Sequence, residues 1–483
     1  MTIPRGDLNQ EAPDTTPHTG LDARRLFDAQ RAAWNAAGPP SREARLEALH
    51  RLASIVTGHA DAFAAAISTD FGNRPTQETQ LLEVVPTLNA IRHASRNLPR
   101  WMRPERRHVA WTFKPGKAWV QFQPLGVVGI ISPWNYPLLL SLSPLVDALA
   151  AGNRVLLKPS ELTPRFSDLL KRRLGEAFSE EQVAVVVGGP DVADAFSHLP
   201  FDHLLFTGST AVGRKVMAAA AENLTPVTLE LGGKSPVVVC PDYDVHRAAL
   251  AIVLGKFSNA GQTCIAPDYA LAPRAAAAAL AEAIIDQARR AYPAIGANPD
   301  YASIINDRHF QRLERAIQEA ERAGARVIRH TDGDAAACRK IGPTVVIDPP
   351  VDSTVMRDEI FGPVLPIVPY DSLEQAIAYV NAHDRPLALY CFSRDARIRD
   401  RVLRLTISGD VTLNGTLIHI AQDDLPFGGV GTSGIGAYHG RDGFRRLSHA
   451  RGVYQVRGLN VLGLFAPPYG KRANRLIRFL MKS

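Results

Sequence analysis

From Gly126 onward, short apolar runs alternate with helix-length stretches, and this rhythm constrains the fold more than any other feature of the sequence. Gly126-Val127-Val128-Gly129-Ile130-Ile131, Arg154-Val155-Leu156-Leu157 and His203-Leu204-Leu205-Phe206 lack the polar alternation of a half-solvated strand. Runs of this kind, separated by helical crossovers, predict parallel strands covered by helices on both faces, an α/β fold. A second series begins near Leu231, with Pro236-Val237-Val238-Val239 as a strand and a helix around Val245 to Ser258, and it continues to about Asn414. The boundary between the two falls close to Glu230. At 483 residues the chain exceeds the roughly 250 to 300 residues that one hydrophobic core usually serves, so two α/β units are expected.

The flanking segments read differently. Leu21 to Phe71 is helical, with Ser41 as an N-cap and Leu46, Leu49, Leu52 and Ile55 at helical spacing. Trp111 to Gln123, and a stretch after Tyr438 that contains Gly452-Val453-Tyr454-Gln455-Val456, have the alternation of an exposed hairpin or edge strand, and both are candidate oligomer contacts. The division is therefore a disordered lead-in at 1–20, a first unit at 21–110 and 124–229, a second at 230–437, bridging segments at 111–123 and 438–460, and a tail at 461–483. In that tail Arg472, Arg475, Arg478 and Lys482 alternate with Leu476, Ile477, Leu480 and Met481. Such a basic amphipathic helix lies on an anionic membrane surface or docks on its own protein or a partner subunit.

Composition narrows the functional classes. The formal charge of +7 comes from 55 basic residues interleaved with 48 acidic ones, a mild excess that does not point to nucleic acid. Cys240, Cys264, Cys338 and Cys391 are scattered without metal-ligand or disulfide-framework spacing, so no metal is expected. The first twenty residues lack the apolar run of a secretory signal. The most apolar window, Leu138 to Ala151, is interrupted by Pro144 and Asp147 and falls short of the roughly 20 residues that cross a bilayer. A cytoplasmic body is expected.

The chemistry-bearing positions lie in loops at the ends of these runs. Ser258-Asn259-Ala260-Gly261-Gln262-Thr263-Cys264 sets a cysteine after a small-residue turn, where a thiol is either a small buried hydrophobe or a nucleophile that a base or positive potential must ionise. In Thr228-Leu229-Glu230-Leu231-Gly232-Gly233-Lys234-Ser235-Pro236, Glu230 is either a structural ion-pair partner or a base with its pKa raised by burial. Asn135, in Ser132-Pro133-Trp134-Asn135-Tyr136-Pro137, follows a strand and precedes a helix; it is a turn former or an oxyanion donor. Lys158-Pro159-Ser160-Glu161 closes another strand. Phe206-Thr207-Gly208-Ser209-Thr210-Ala211-Val212-Gly213 leads from strand to helix, where dinucleotides bind in open α/β sheets, although its spacing is GxxxxG rather than GxGxxG.

Taken together and in order, these motifs, with Glu359-Ile360-Phe361-Gly362-Pro363 and Pro426-Phe427-Gly428-Gly429, resemble the aldehyde dehydrogenase superfamily from about residue 20 to 460. Gln262 to Tyr269 and Leu425 to Gly434 look like its class 3 branch, which includes coniferyl aldehyde and fatty aldehyde dehydrogenases. Trp101-Met102-Arg103-Pro104-Glu105-Arg106-Arg107 leans toward the coniferyl aldehyde group. The resemblance implies a dinucleotide-binding first domain, a catalytic second domain and a small bridging oligomerisation segment, assembled as a homodimer. It implies oxidation of an aldehyde to a carboxylic acid, with Cys264 as nucleophile, Asn135 and the Cys264 N–H as oxyanion donors, and Glu230 activating the water that hydrolyses a thioester.

By the same resemblance Lys158 and Glu161 contact the adenosine ribose, Ser209 within Gly208–Gly213 the pyrophosphate and Glu359 the nicotinamide ribose, while Phe361 and Trp134 flank the nicotinamide end. The Glu161 carboxylate disfavours a 2′-phosphate, so NAD is the expected cofactor, with NADP also accommodated. Aromatic aldehydes such as coniferaldehyde are the first expected substrates and medium- or long-chain aliphatic ones the alternative. An inactive scaffold retaining the fold is opposed by the intact Cys264, Glu230, Asn135 and Lys158. Transfer of the acyl group to coenzyme A is opposed by Glu230, and ester hydrolysis is a side activity.

Overall fold

The computed structural model describes residues 19–330, 336–458 and 467–481. Most of the expected lead-in, residues 459–460 of the second bridging segment, and residues 461–466 and 482–483 of the tail, Lys482 among them, lie outside them.

The buried runs pair as their composition requires. A six-stranded sheet has the order Gly434–Ile435, Val227–Glu230, His203–Thr207, Val127–Ile131, Arg154–Lys158 and Val183–Val185, with every neighbour parallel except the first pair. Val127–Ile131 and His203–Thr207 are entirely buried, which accounts for their lack of polar alternation. The helix Pro137–Ala151 passes behind this sheet with all its residues buried, so the chain's most apolar window is a core helix. No helix among the described residues is long and apolar enough to cross a membrane.

The second sheet has seven strands, Arg326–Arg329, Thr344–Ile347, Val364–Tyr370, Tyr269–Pro273, Pro236–Val239, Ala388–Phe392 and Asp410–Leu413, antiparallel only at the first pair. The chain changes sheets between Glu230 and Pro236, and Gly434–Ile435 then returns to pair beside Glu230. Helices Thr19-capped Gly20–Ala37, Ser41-capped Arg42–Gly58 and Ala60–Phe71 pack over the first unit through Leu26, Phe27, Leu49, Leu52 and Phe63.

A third, antiparallel sheet joins Glu105–Arg107, Lys117–Pro124 and Ser448–Gln455. Here the structure differs from the sequence pattern in two respects. Glu105–Arg107, which the pattern groups with the first unit, belongs to this sheet, and Lys117–Pro124 is its middle strand rather than an edge. Alternation reports only that one face is solvated; it is blind to whether hydrogen bonds run on one side of a strand or both. Ser448–Gln455 is one edge and the short Glu105–Arg107 the other.

Candidate active site

The first sheet reverses its winding between Val127–Ile131 and His203–Thr207, the place where open α/β sheets leave a crevice beyond the strands' carboxyl ends. The loops that follow these two strands carry Trp134 and Asn135, and Gly208 and Ser209. Facing them are loops that precede strands of the second sheet, carrying Cys264 ahead of Tyr269–Pro273 and Glu359 and Phe361 ahead of Val364–Tyr370. Between the two sets lies a cavity of about 760 Å³, walled by Trp134, Asn135, Gly208, Ser209, Glu230, Cys264, Glu359 and Phe361 among others. Lys158, Glu161 and Gly213 lie outside this wall.

Each loop is held by identifiable contacts. Asn259, Ala260 and Gly261 are three consecutive left-handed residues (φ 51°, 50° and 74°), a strained approach to Cys264 that the surrounding bonds enforce. The Asn259 side-chain amide donates to the carbonyls of Asn135 (3.0 Å) and Gln262 (3.2 Å). The buried Gln262 amide donates to Asn259 and Ser303 and accepts from Ile305 N–H at 2.9 Å. Gly261 is obligatory on space as well as on φ, since a Cβ there would stand 2.3 Å from the carbonyl oxygen of Gly362. Lys234 ties the opposite loop by pairing with Asp268 and donating to the carbonyls of Val355 (2.8 Å) and Asp358 (2.9 Å), while Asp268 accepts from Ile360 N–H at 3.0 Å.

The electrostatics of the deep end are unusual. Glu230 is 2% exposed, and neither of its carboxylate oxygens has a hydrogen-bond partner among the described residues. Burial, reinforced by the nearby Asp410 charge and only partly offset by Arg446, holds its pKa well above the ordinary carboxylate range. Burial likewise pushes Glu359 up to about 8, against the lowering effects of the Gly233 N–H, Lys234 and Lys256. The half-buried Cys264 thiol is pushed up to about 12 by burial and by the negative potential of Glu359 and Glu230. Asn135, 3% exposed, spends one amide N–H on the Gln262 carbonyl at 3.2 Å. An amide has a second N–H to give.

The outer positions have another character. Ser209 caps the helix Thr210–Glu222 by accepting from Val212 N–H at 3.4 Å, so its loop opens a helix N-terminus toward the cavity. Gly208 N–H donates to the Glu230 carbonyl at 3.0 Å, and Gly213 sits under Leu231, whose side chain a Cβ would meet at 2.6 Å. Buried Lys158 donates to the Pro159 carbonyl and lies 3.8 Å from exposed Glu161. Phe361 takes a left-handed φ of 49° and meets Trp134 edge-on at 5.4 Å.

The cavity also contains residues that sequence reasoning missed. His309 and Arg312 enter from the helix Asp307–Arg322: His309 packs on Trp134 at 5.6 Å with its pKa pushed down to about 4 by burial, and Arg312 donates to the Ile360 carbonyl at 2.6 Å. Nothing in that helix's strongly amphipathic pattern distinguishes these two from residues of an ordinary solvated face. Thr207, whose buried hydroxyl has no partner among the described residues, and Gly232 also line the cavity, from inside the motifs Phe206–Gly213 and Thr228–Pro236. A Cβ at Gly232 would collide with Glu359 at 2.0 Å.

These walls fit a nicotinamide dinucleotide: a helix N-terminus for phosphate, an unpartnered Thr207 hydroxyl and Glu359 Oε1 to meet polar groups, and a glycine surface that admits close approach. The family model described as the aldehyde dehydrogenase family matches residues 12–453. The chain belongs to the aldehyde dehydrogenase family. It is an aldehyde-oxidising enzyme that depends on NAD or NADP. Among curated aldehyde dehydrogenases it is 48% identical to a probable coniferyl aldehyde dehydrogenase of Caulobacter vibrioides, over 92% of this chain and 94% of that one. It is 43% identical to the coniferyl aldehyde dehydrogenase of Pseudomonas sp. strain HR199, over 95% and 96%. The substrate-bound structure of Staphylococcus aureus AldH superposes with a TM-score of 0.90 at 36% identity, covering 95% of this chain and 99% of that one.

Proposed function

We propose that this aldehyde dehydrogenase oxidises aromatic aldehydes of the coniferaldehyde kind to carboxylic acids, using NAD in preference to NADP and a thioester on Cys264. The observation that carries this reading is the convergence of Cys264, unpartnered Glu230 and Asn135 on one cavity with the Gly208–Ser209 helix opening. The identities to two proteins named for coniferyl aldehyde support the substrate class.

The Cys264 sulfur, once ionised, attacks the aldehyde carbon; the C–S bond forms as the carbonyl π pair moves onto oxygen. The free Asn135 N–H and the Cys264 backbone N–H stabilise that oxyanion. The dinucleotide, when bound, would supply the hydride acceptor that oxidation of the Cys264 adduct to a thioester requires. Glu230, ionised, removes a proton from water as the water oxygen attacks the acyl carbon; the C–S bond breaks, the acid leaves and the thiol is restored. In the cofactor-free protein burial raises the Glu230 carboxyl above the ordinary carboxylate range and pushes the Cys264 thiol up to about 12, so the thiol holds its proton at neutral pH and activity rises as pH rises.

Lys158 and Glu161 would hold the adenosine ribose, Ser209 with Gly208 and Gly213 the pyrophosphate, Glu359 the nicotinamide ribose, and Phe361 and Trp134 the nicotinamide end. The bridging sheet assembles a homodimer through the open edge of Ser448–Gln455. The protein works in the cytoplasm, where the helix Lys471–Leu480, with Lys471, Arg472, Arg475 and Arg478 and exposed Ile477 and Phe479, rests on anionic membrane. Co-sedimentation with anionic vesicles that is unchanged on deleting 470–483 rejects that contact.

The reading is tested by following reduced nicotinamide with coniferaldehyde, benzaldehyde and decanal, each with NAD and NADP. Highest kcat/KM for coniferaldehyde with NAD is expected; a decanal preference overturns the substrate class, and no reduction with any pair overturns the reaction.

A further inference from the structure

The helix that runs from Thr76 to Trp101 contains a π-helical turn at Gln80–Val84, and Glu83 lies in it. Such a turn inserts one extra residue and redirects the side chains it carries, and it is frequent at functional sites. What it does here is visible in the contacts of Glu83. One carboxylate oxygen pairs with Arg74 at 2.6 Å, both side chains fully enclosed. The other accepts the N–H groups of Leu138 (2.8 Å) and Leu139 (3.1 Å), the unsatisfied donors in the first turn of Pro137–Ala151.

Arg74 extends the same grip. Its Nη1 donates to the backbone carbonyl of Asn135 at 3.2 Å, and its guanidinium lies over the Tyr136 ring at 4.7 Å. The Tyr136 hydroxyl in turn bonds the Thr263 hydroxyl at 2.8 Å, one residue before Cys264. On the same helix Glu78 accepts Asn259 N–H through both oxygens at 3.1 Å, the residue whose side chain bridges Asn135 and Gln262.

We infer that Arg74 and Glu83 are positioning residues that fix the Asn135 amide against Cys264, so that the oxyanion donor is in place before aldehyde arrives. The inference rests on the role proposed for Asn135. A buried ion pair that served stability alone would be replaceable by neutral groups of similar volume with little consequence for turnover. This pair instead bonds the Asn135 carbonyl and the backbone that follows it at Leu138 and Leu139, and an oxyanion donor acts only if held at the position where charge develops.

The test is R74M/E83Q in the full-length enzyme, in which the side-chain amide introduced by E83Q retains an acceptor for Leu138 and Leu139 while the hold on the Asn135 carbonyl is lost. R74K, which keeps the charge, serves as the milder second variant should the first fail to fold. Either variant, folded by thermal melt, is expected to lose kcat by about tenfold or more with both KM values within about threefold, since an oxyanion donor is worth roughly 10²- to 10³-fold. The same change made on N135A is expected to cost almost nothing more, because the group being positioned is already gone.

Unchanged kcat in a folded variant overturns the inference, as does a loss that appears in KM alone. So does a loss that repeats in full on N135A. If N135A itself retains wild-type kcat, the proposed role of Asn135 fails instead, which separates the two readings.

Discussion

Glu230 ends one strand and Glu161 follows another of the same sheet, yet they stand in opposite environments. Glu230 is enclosed with both oxygens unpartnered among the described residues, whereas Glu161 is exposed and faces Lys158 at 3.8 Å. Position along a sheet edge therefore does not decide what a carboxylate is for; its contact with water and with partners does. On the function proposed here, the unmet polar capacity inside the cavity serves chemistry, and the solvated charge of Glu161, outside the cavity wall, serves recognition.

The contrast is broken most severely at the deep end. C264A is expected to lower aldehyde oxidation by at least about 10³-fold, with folding intact by circular dichroism. E230Q is expected to lower kcat by about 10²- to 10⁴-fold while leaving a burst of roughly one reduced nicotinamide per active site in stopped-flow absorbance, because hydrolysis rather than acylation loses its base. A linear trace with no burst would place Glu230 before the thioester.

The thiol sharpens the comparison without mutation. A group whose pKa is pushed up to about 12 is ionised in proportion to hydroxide below that point, so iodoacetamide should alkylate Cys264 in the cofactor-free protein about tenfold faster for each pH unit between 7 and 10. A plateau below pH 9 contradicts the burial-driven shift. The smallest effect belongs to the outer end: E161Q should lower KM for NADP by about threefold to tenfold through loss of one repulsive charge, with kcat and KM for NAD nearly unchanged in initial-rate assays.

The strand-end loops were legible because their chemistry restricts residue type. Gly261 must be glycine to clear the Gly362 carbonyl, and Pro133 and Pro137 bracket the turn that carries Asn135. The parallel strands were legible because burial on both faces leaves no polar alternation. What escaped is equally physical. The π turn at Gln80–Val84 shifts side chains by one residue inside an otherwise helical pattern, and period counting averages that away. His309 and Arg312 sit on a helix whose periodicity looks like that of any surface helix, so only the fold reveals that this face meets the cavity. The middle place of Lys117–Pro124 in its sheet is a matter of partners that sequence alternation does not encode.

The central claim is that the deep end carries covalent acyl chemistry on Cys264, and intact-protein mass spectrometry of E230Q mixed with NAD and coniferaldehyde tests it most directly. The account predicts a single added acyl group that maps to Cys264 and is missing from C264A; protein that stays unmodified while reduced nicotinamide accumulates would contradict it.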